Sequence, residues 1–228
     1  MRCKDSRIGL QDVVEGFLFS LQAEGRAPST IGYYKDLLRP FLGYARDKNW
    51  SDGLCSLDTY RVREFLSWVG SRTCEYSVGN GTKRVREAKP STAWPYYRAL
   101  RRLFNWAVEE GYLEFSPLTT IHFKSPLEPV IEGYTVDELK RLLAVCDLDI
   151  RTGARFTGIR NKAMLLLFID SGLRRAEMVN LPLNALDLDS GRLRVVGKGN
   201  KTGIAPFSPK TAKTLWAWLI ERKPRAKT

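Results

Sequence analysis

Histidine is almost missing from this chain: His122 is the only one in 228 residues. It stands in a proline-rich stretch with few periodic positions, so no Ser-His-Asp or Cys-His set can be built around it. The four cysteines, Cys3, Cys55, Cys74 and Cys146, stand singly, with no C-x-x-C pair among them. That spacing excludes a zinc site and leaves free thiols in a reducing compartment as the expectation. Long hydrophobic runs are lacking too. No stretch nears the roughly 20 apolar residues of a membrane span, and Met1 to Leu10 has no signal-peptide core. A soluble, cytoplasmic protein with no membrane partner is therefore expected. Paired carboxylates are also scarce where chemistry would want them: Asp187 and Asp189 flank a turn, a position aspartate takes for local backbone hydrogen bonds.

What is present is positive charge, unevenly placed. Lys and Arg number 37 against 25 Asp and Glu, a net +12. Residues 151–228 hold 16 basic and 5 acidic side chains, residues 51–102 hold 10 and 5, and residues 103–150 hold 3 and 9. Two basic segments flank an acidic joint, a pattern suited to a polyanion that touches both halves. Nucleic acid fits best. An anionic membrane fits less well, because no helix is basic on one face and bulky-apolar on the other.

Hydrophobic period organises the front half into helices. Val13, Val14, Phe17, Leu18 and Leu21 mark the first. Ser29 and Thr30, after Pro28, are candidate N-caps of a second whose buried face takes Tyr34, Leu37, Leu38, Phe41 and Leu42, with Pro40 expected to kink it. Thr59 to Val69 gives a third. Arg72 to Lys89 lacks periodicity and reads as a loop, whose Lys83, Arg84, Arg86 and Lys89 either reach phosphates or are simply solvated. From Ser91 to about Glu110, Trp94, Tyr97, Leu100, Phe104, Ala107 and Val108 make an apolar stripe, while Arg98, Arg102 and Asn105 lie together on another face. Residues 115–133 hold three prolines and no convincing element, and read as a linker.

The back half begins with a Thr135–Glu138 capping box. Arg160 to Asp170 is nearly continuous in apolar character and predicts a helix buried on most sides, ended by Gly172. Leu173, Met178, Val179 and Leu181 give the next helix its packing face. Beyond Pro182 the period changes: Leu186, Leu188, the Asp189-Ser190-Gly191 turn, Leu193 and Val195 predict a hairpin, with Ile204 to Phe207 a third strand. Thr211 to Glu221 closes the chain as a helix. The string Gly197-Lys198-Gly199-Asn200-Lys201, between the last two strands, fails as a P-loop: no Ser or Thr follows the lysine, and no glycine stands five residues before Gly197.

Ser171-Gly172-Leu173-Arg174-Arg175-Ala176-Glu177 resembles the T/S-G-L-R-x-x-E string of the tyrosine recombinases, or phage integrases. The GKGNK string resembles that family's G-K-G-x-K hairpin. The resemblance implies a fold that is mainly α with a small antiparallel β meander: a helical core-binding (SAM-like) DNA-gripping domain over residues 1–114, a linker over 115–133, and the first half of a catalytic domain over 134–228. It implies Arg174 and Lys198 as catalytic residues, and Ser29, Thr30, Arg98, Arg102, Arg175 and Lys201 as DNA contacts. In that chemistry a tyrosine oxygen attacks a phosphodiester, guanidinium groups hold the charge on the nonbridging oxygens, and the lysine protonates the departing 5′-hydroxyl. It calls for neither a metal nor a small-molecule cofactor. The implied partners are double-stranded DNA and other recombinase subunits.

The family pattern next requires a His-x-x-Arg box and a late tyrosine, and neither can be placed: no histidine follows His122 and no tyrosine follows Tyr134. The expectation is a fragment or truncated relative that binds DNA but does not cleave it alone. Two alternatives stay open, activity by complementation with an intact subunit and a non-enzymatic helical regulator that binds DNA or RNA.

Overall fold

The computed structural model describes residues 8–50, 53–78, 81–127, 130–197 and 201–223, and the chain divides into two units, Met1–Pro129 and Val130–Thr228. Among the described residues the fold is mostly helical with two small antiparallel sheets. No described helix is long and apolar enough to cross a membrane.

In the first unit, four helices close around one core: α1 (Leu10–Ala23), α2 (Pro28–Asp47), α3 (Thr59–Ser71) and α4 (Ala93–Glu109). The apolar stripe of each supplies it. Phe17, Phe41, Phe65 and Phe104 are fully buried, and Phe41 meets Phe65 and Phe104 edge-on at 5.0 and 6.4 Å. Burying each such ring contributes about 1.5–3 kcal/mol, so four of them bind the helices tightly. The fourth helix has its ring face inward and leaves Arg98, Arg101 and Asn105 exposed. Part of the expected linker also packs here: Leu118 and Ile121 are buried against this core, and the buried Tyr97 hydroxyl donates to the Ile121 carbonyl at 3.0 Å.

Two readings of the front half are corrected. Ala27, not Ser29 or Thr30, is the residue before the first turn of α2, because Pro28 takes the first helical position, where its missing N–H is no loss. Ser29 and Thr30 are therefore inside the helix, and α2 runs on through Pro40. The segment read as a loop is a hairpin, β1 (Thr73–Val78) paired with β2 (Thr82–Glu87). The available signal was the alternation of β1, where Cys74, Tyr76 and Val78 alternate with Thr73, Glu75 and Ser77; β2 has a single apolar residue, Val85, is exposed at every position, and so carries no such period.

In the second unit, α5 (Val136–Arg151) packs on α6 (Arg155–Ser171), followed by α7 (Arg175–Val179), the sheet β3 (Leu186–Asp187), β4 (Arg192–Val196) and β5 (Thr202–Pro206), and α8 (Pro209–Arg222). The Thr135–Glu138 box caps α5 in both directions. Gly158 lets α5 and α6 touch: a Cβ there would stand 2.7 Å from Ile150 Cγ1 and 2.8 Å from the Cys146 carbonyl oxygen. Gly172 ends α6 in the left-handed region at φ 63°, a conformation glycine adopts without steric cost. Cys146 is a buried free thiol, pushed up mainly by burial and further by Asp149 and Asp147.

Asp170, at the end of α6, fastens the start of α8. Its Oδ2 accepts from the Ser208 N–H at 2.7 Å and from the Thr211 hydroxyl at 2.6 Å, and Thr211 is fully buried. Burial would raise this carboxyl, but the hydrogen bonds from Thr211 and Ser208, with Lys210 nearby, outweigh it and hold it below its ordinary range.

Here too the sequence reading needs correcting. The long apolar run of α6 is not buried on most sides: Ile159, Ala163, Leu166 and Leu167 face inward while Met164 and Ile169 are exposed. Val179 points to solvent rather than into a packing face, since α7 is a single short turn. No correction is needed in α8, where Leu215 is buried while Trp216 and Ile220 are exposed.

Candidate nucleic-acid interface

Arg174 stands where α6 has ended and α7 begins. Gly172 turns the chain, Leu173 drops into the core, and Arg174 takes the N-cap position of α7. Glu177, three residues on, folds back onto it. The Glu177 carboxylate accepts from the Arg174 backbone N–H at 2.8 Å and from Nη1 at 2.9 Å. These two contacts from Arg174, the backbone hydrogen bond first, hold the Glu177 carboxyl below its ordinary range. The Glu177 side chain is 12% exposed, and that of Arg174 is 77% exposed. One edge of the guanidinium is thus fixed from beneath and the rest of the fork faces solvent, the posture of a cation ready to take an oxyanion in two hydrogen bonds.

The sheet completes a groove of about 880 Å³ beside it. Arg174, Glu177, Arg192, Arg194 and Gly197 line it together with apolar positions of β4. Arg192 and Arg194 lie on the side of β4 opposite to Leu193, which is buried. Glu177 Oε1 stands 3.6 Å from where a Gly197 Cβ would be, so the arginine turn and the entrance to the glycine-rich connection adjoin. That connection closes where the Gly197 N–H donates to the Lys201 carbonyl at 2.8 Å, and Lys201 shares a smaller cleft with Gly172, Leu173 and Glu177. Lys198 lies outside the described residues. Three arginines against Glu177 and Asp187 give the groove a cationic excess that suits an anionic ligand.

The remaining residues divide by unit. Arg175 opens α7 and is exposed. In the first unit Ser29 is exposed and Thr30 half-buried at the start of α2, while Arg98 is exposed on α4. Arg102 leans away from open solvent toward Glu24 at 3.9 Å, and Glu24 also holds Arg26 at 3.1 Å. Reading the sequence missed Arg101, Arg192, Arg194 and the bridging role of Glu177. The spacing of Arg101 from Arg98 and the R-L-R alternation of β4 were the signals. Among the described residues no group of three or more His, Cys, Asp or Glu is arranged to hold a metal ion.

Residues 134–228 match the phage integrase family profile. The chain is 29% identical over 216 residues to the tyrosine recombinase XerC of Xanthomonas campestris pv. campestris, covering 94% of this chain and 61% of that protein. It is 31% identical over 217 residues to the tyrosine recombinase XerD of Xanthomonas axonopodis pv. citri, covering 93% and 63%. The chain thus spans under two thirds of the length of these recombinases. In fold it resembles a lambda integrase dimer bound to a COC′ core site, with a TM-score of 0.62 and 16% identity over 92% of this chain and 54% of that one.

Proposed function

We infer that the chain belongs to the phage integrase family of tyrosine recombinases, and from that premise that its 228 residues grip duplex DNA and present one backbone phosphate to Arg174 and Lys198. The observation that carries this reading is the groove in which Arg174, braced by Glu177, adjoins Gly197 at the entrance to the lysine-bearing connection. Arg174 takes a nonbridging phosphate oxygen, and Lys198 is assigned as the donor of the proton that the 5′-oxygen would need on displacement by a tyrosine from outside this stretch. Glu177 is a positioning residue. Arg175 and Lys201 hold neighbouring backbone, and Ser29, Thr30, Arg98 and Arg102 supply contacts from the first unit. These contacts set position rather than sequence.

No tyrosine follows Tyr134 and no histidine follows His122, so covalent attack is assigned to no residue of this stretch. The activity proposed for it alone is binding, within site-specific recombination carried out with other recombinase subunits. A lambda integrase dimer on its core site is the arrangement that suggests such partners. The test is titration of the chain into labelled duplex DNA at several salt concentrations. Affinity should fall with a log-log slope near 0.9 for each phosphate neutralised, and affinity that hardly responds to salt would defeat the reading.

A further inference from the structure

The β1–β2 ribbon stands between α3 and α4, yet β2 gives the core nothing, being exposed at all six positions. Its base, in contrast, is fixed. The Ala88 N–H donates to the Arg72 carbonyl at 2.9 Å. The Arg72 guanidinium lies 5.6 Å from the Trp68 ring and 5.5 Å from the Tyr96 ring, and its Nη2 donates to the Tyr96 hydroxyl at 2.9 Å. A ribbon anchored at its foot, with β2 bare along its length, is shaped for contact.

Its two faces differ in charge. The register pairs Tyr76 with Arg84 and Ser77 with Lys83, and side chains alternate along a strand. Tyr76, Arg84 and Arg86 therefore share one face, with two guanidiniums and no carboxylate. Glu75, Lys83 and Glu87 share the other. Lys83 is already answered there by Glu75 at 3.4 Å, which leaves that face at −1 against +2. On the positive face Arg86 sits 5.7 Å from the Tyr76 ring centroid, which restricts its rotamers before any ligand arrives. Arg84 and Arg86, two residues apart on one strand, stand about 6.8 Å apart along it, a spacing of the order of neighbouring phosphates on one DNA strand.

We propose that the Tyr76–Arg84–Arg86 face of this ribbon is a further contact to the backbone of duplex DNA, beyond the helices of the first unit. The inference rests on the DNA-binding reading above and adds a surface to it. Both guanidiniums engage phosphate oxygens, and the tyrosine ring holds one of them in place.

The test is fluorescence anisotropy of the 228-residue chain on a labelled mixed-sequence duplex across a salt series. The Arg84→Ala/Arg86→Ala double variant should bind about tenfold more weakly, with a log-log salt slope smaller by about two. Lys83→Gln removes one positive charge from the opposite face and should change affinity by less than about twofold, with slope unchanged. Melting curves of the parent, of these two variants and of Arg84→Ala alone should coincide, because the altered side chains are exposed. The proposal is overturned if the double variant matches the parent, or if Lys83→Gln weakens binding as much as Arg84→Ala alone, which would make the effect one of bulk charge. Failure of the unaltered chain to bind duplex DNA would instead defeat the underlying DNA-binding reading.

Discussion

The two units spend their hydrophobic residues differently. In the first, 27 of the described residues, from the four helices and from the segments around Leu54 and Leu118, form one continuous buried cluster rich in aromatic rings. In the second, the main cluster has six members, while Val136, Leu142, Val145 and Leu148 of α5 and Trp216 and Ile220 of α8 are exposed. The first unit thus has its stability in packing. The second relies on a few specific local devices: the capping box of α5, the Gly158 contact, and the Asp170 bridge to α8. Where a core is thin, polar and backbone details carry a larger share of the free energy, and each becomes a point of failure.

That contrast can be attacked from the largest effect downward. Phe104→Ala, in the thick core, should cost about 3–5 kcal/mol, whereas Leu193→Ala in the thin one should cost about 2 kcal/mol, because less surrounding structure stays fixed around the cavity. Urea denaturation of each variant, with a probe in each unit, checks this, and equal costs would break the comparison. Gly158→Ala should destabilise the second unit by about 1–3 kcal/mol through overpacking against Ile150 and Cys146, with the first unit's transition unmoved.

Asp170→Asn should cost the second unit about 1–2 kcal/mol, since it weakens the acceptor of the buried Thr211 hydroxyl. The sign of its pH dependence follows from the lowered folded-state pKa. The stabilisation is fully present above the ordinary carboxylate range, near 4, and is lost as pH falls through the lower folded value. Acid titration of stability should therefore be less steep in the variant, and an unchanged acid profile would count against the bridge. The smallest effect sharpens the comparison on the functional side. Arg174→Ala should leave the melting temperature within about 1 °C, because an exposed ion pair contributes little, while weakening binding to a cleavage-site duplex several-fold. The measurement is a thermal melt paired with a titration.

Much of this was legible in the sequence because the relevant forces are local. The apolar period of α1, α3 and α4 marked the faces that bury, and Thr135–Glu138 and Gly172 marked a helix start and a stop by chemistry confined to a few residues. The strings around Arg174 and Gly197 pointed to the family. What escaped had separate causes. Ser29 and Thr30 look like caps, but Pro28 beside them already takes the first helical position, and the ribbon shows its alternation only over the six residues of β1, with none in β2 to match.

Composition and pattern by themselves determined that this chain is basic and helix-rich, with no apolar run near the length of a membrane span. Only the tertiary structure decided which side of α6 is covered, that Glu177 braces Arg174, and that the arginine turn adjoins the entrance of the glycine-rich connection. The reason is physical. Helical period and capping arise from interactions within one or two turns, whereas burial and the convergence of charges depend on which surfaces the folded chain brings together.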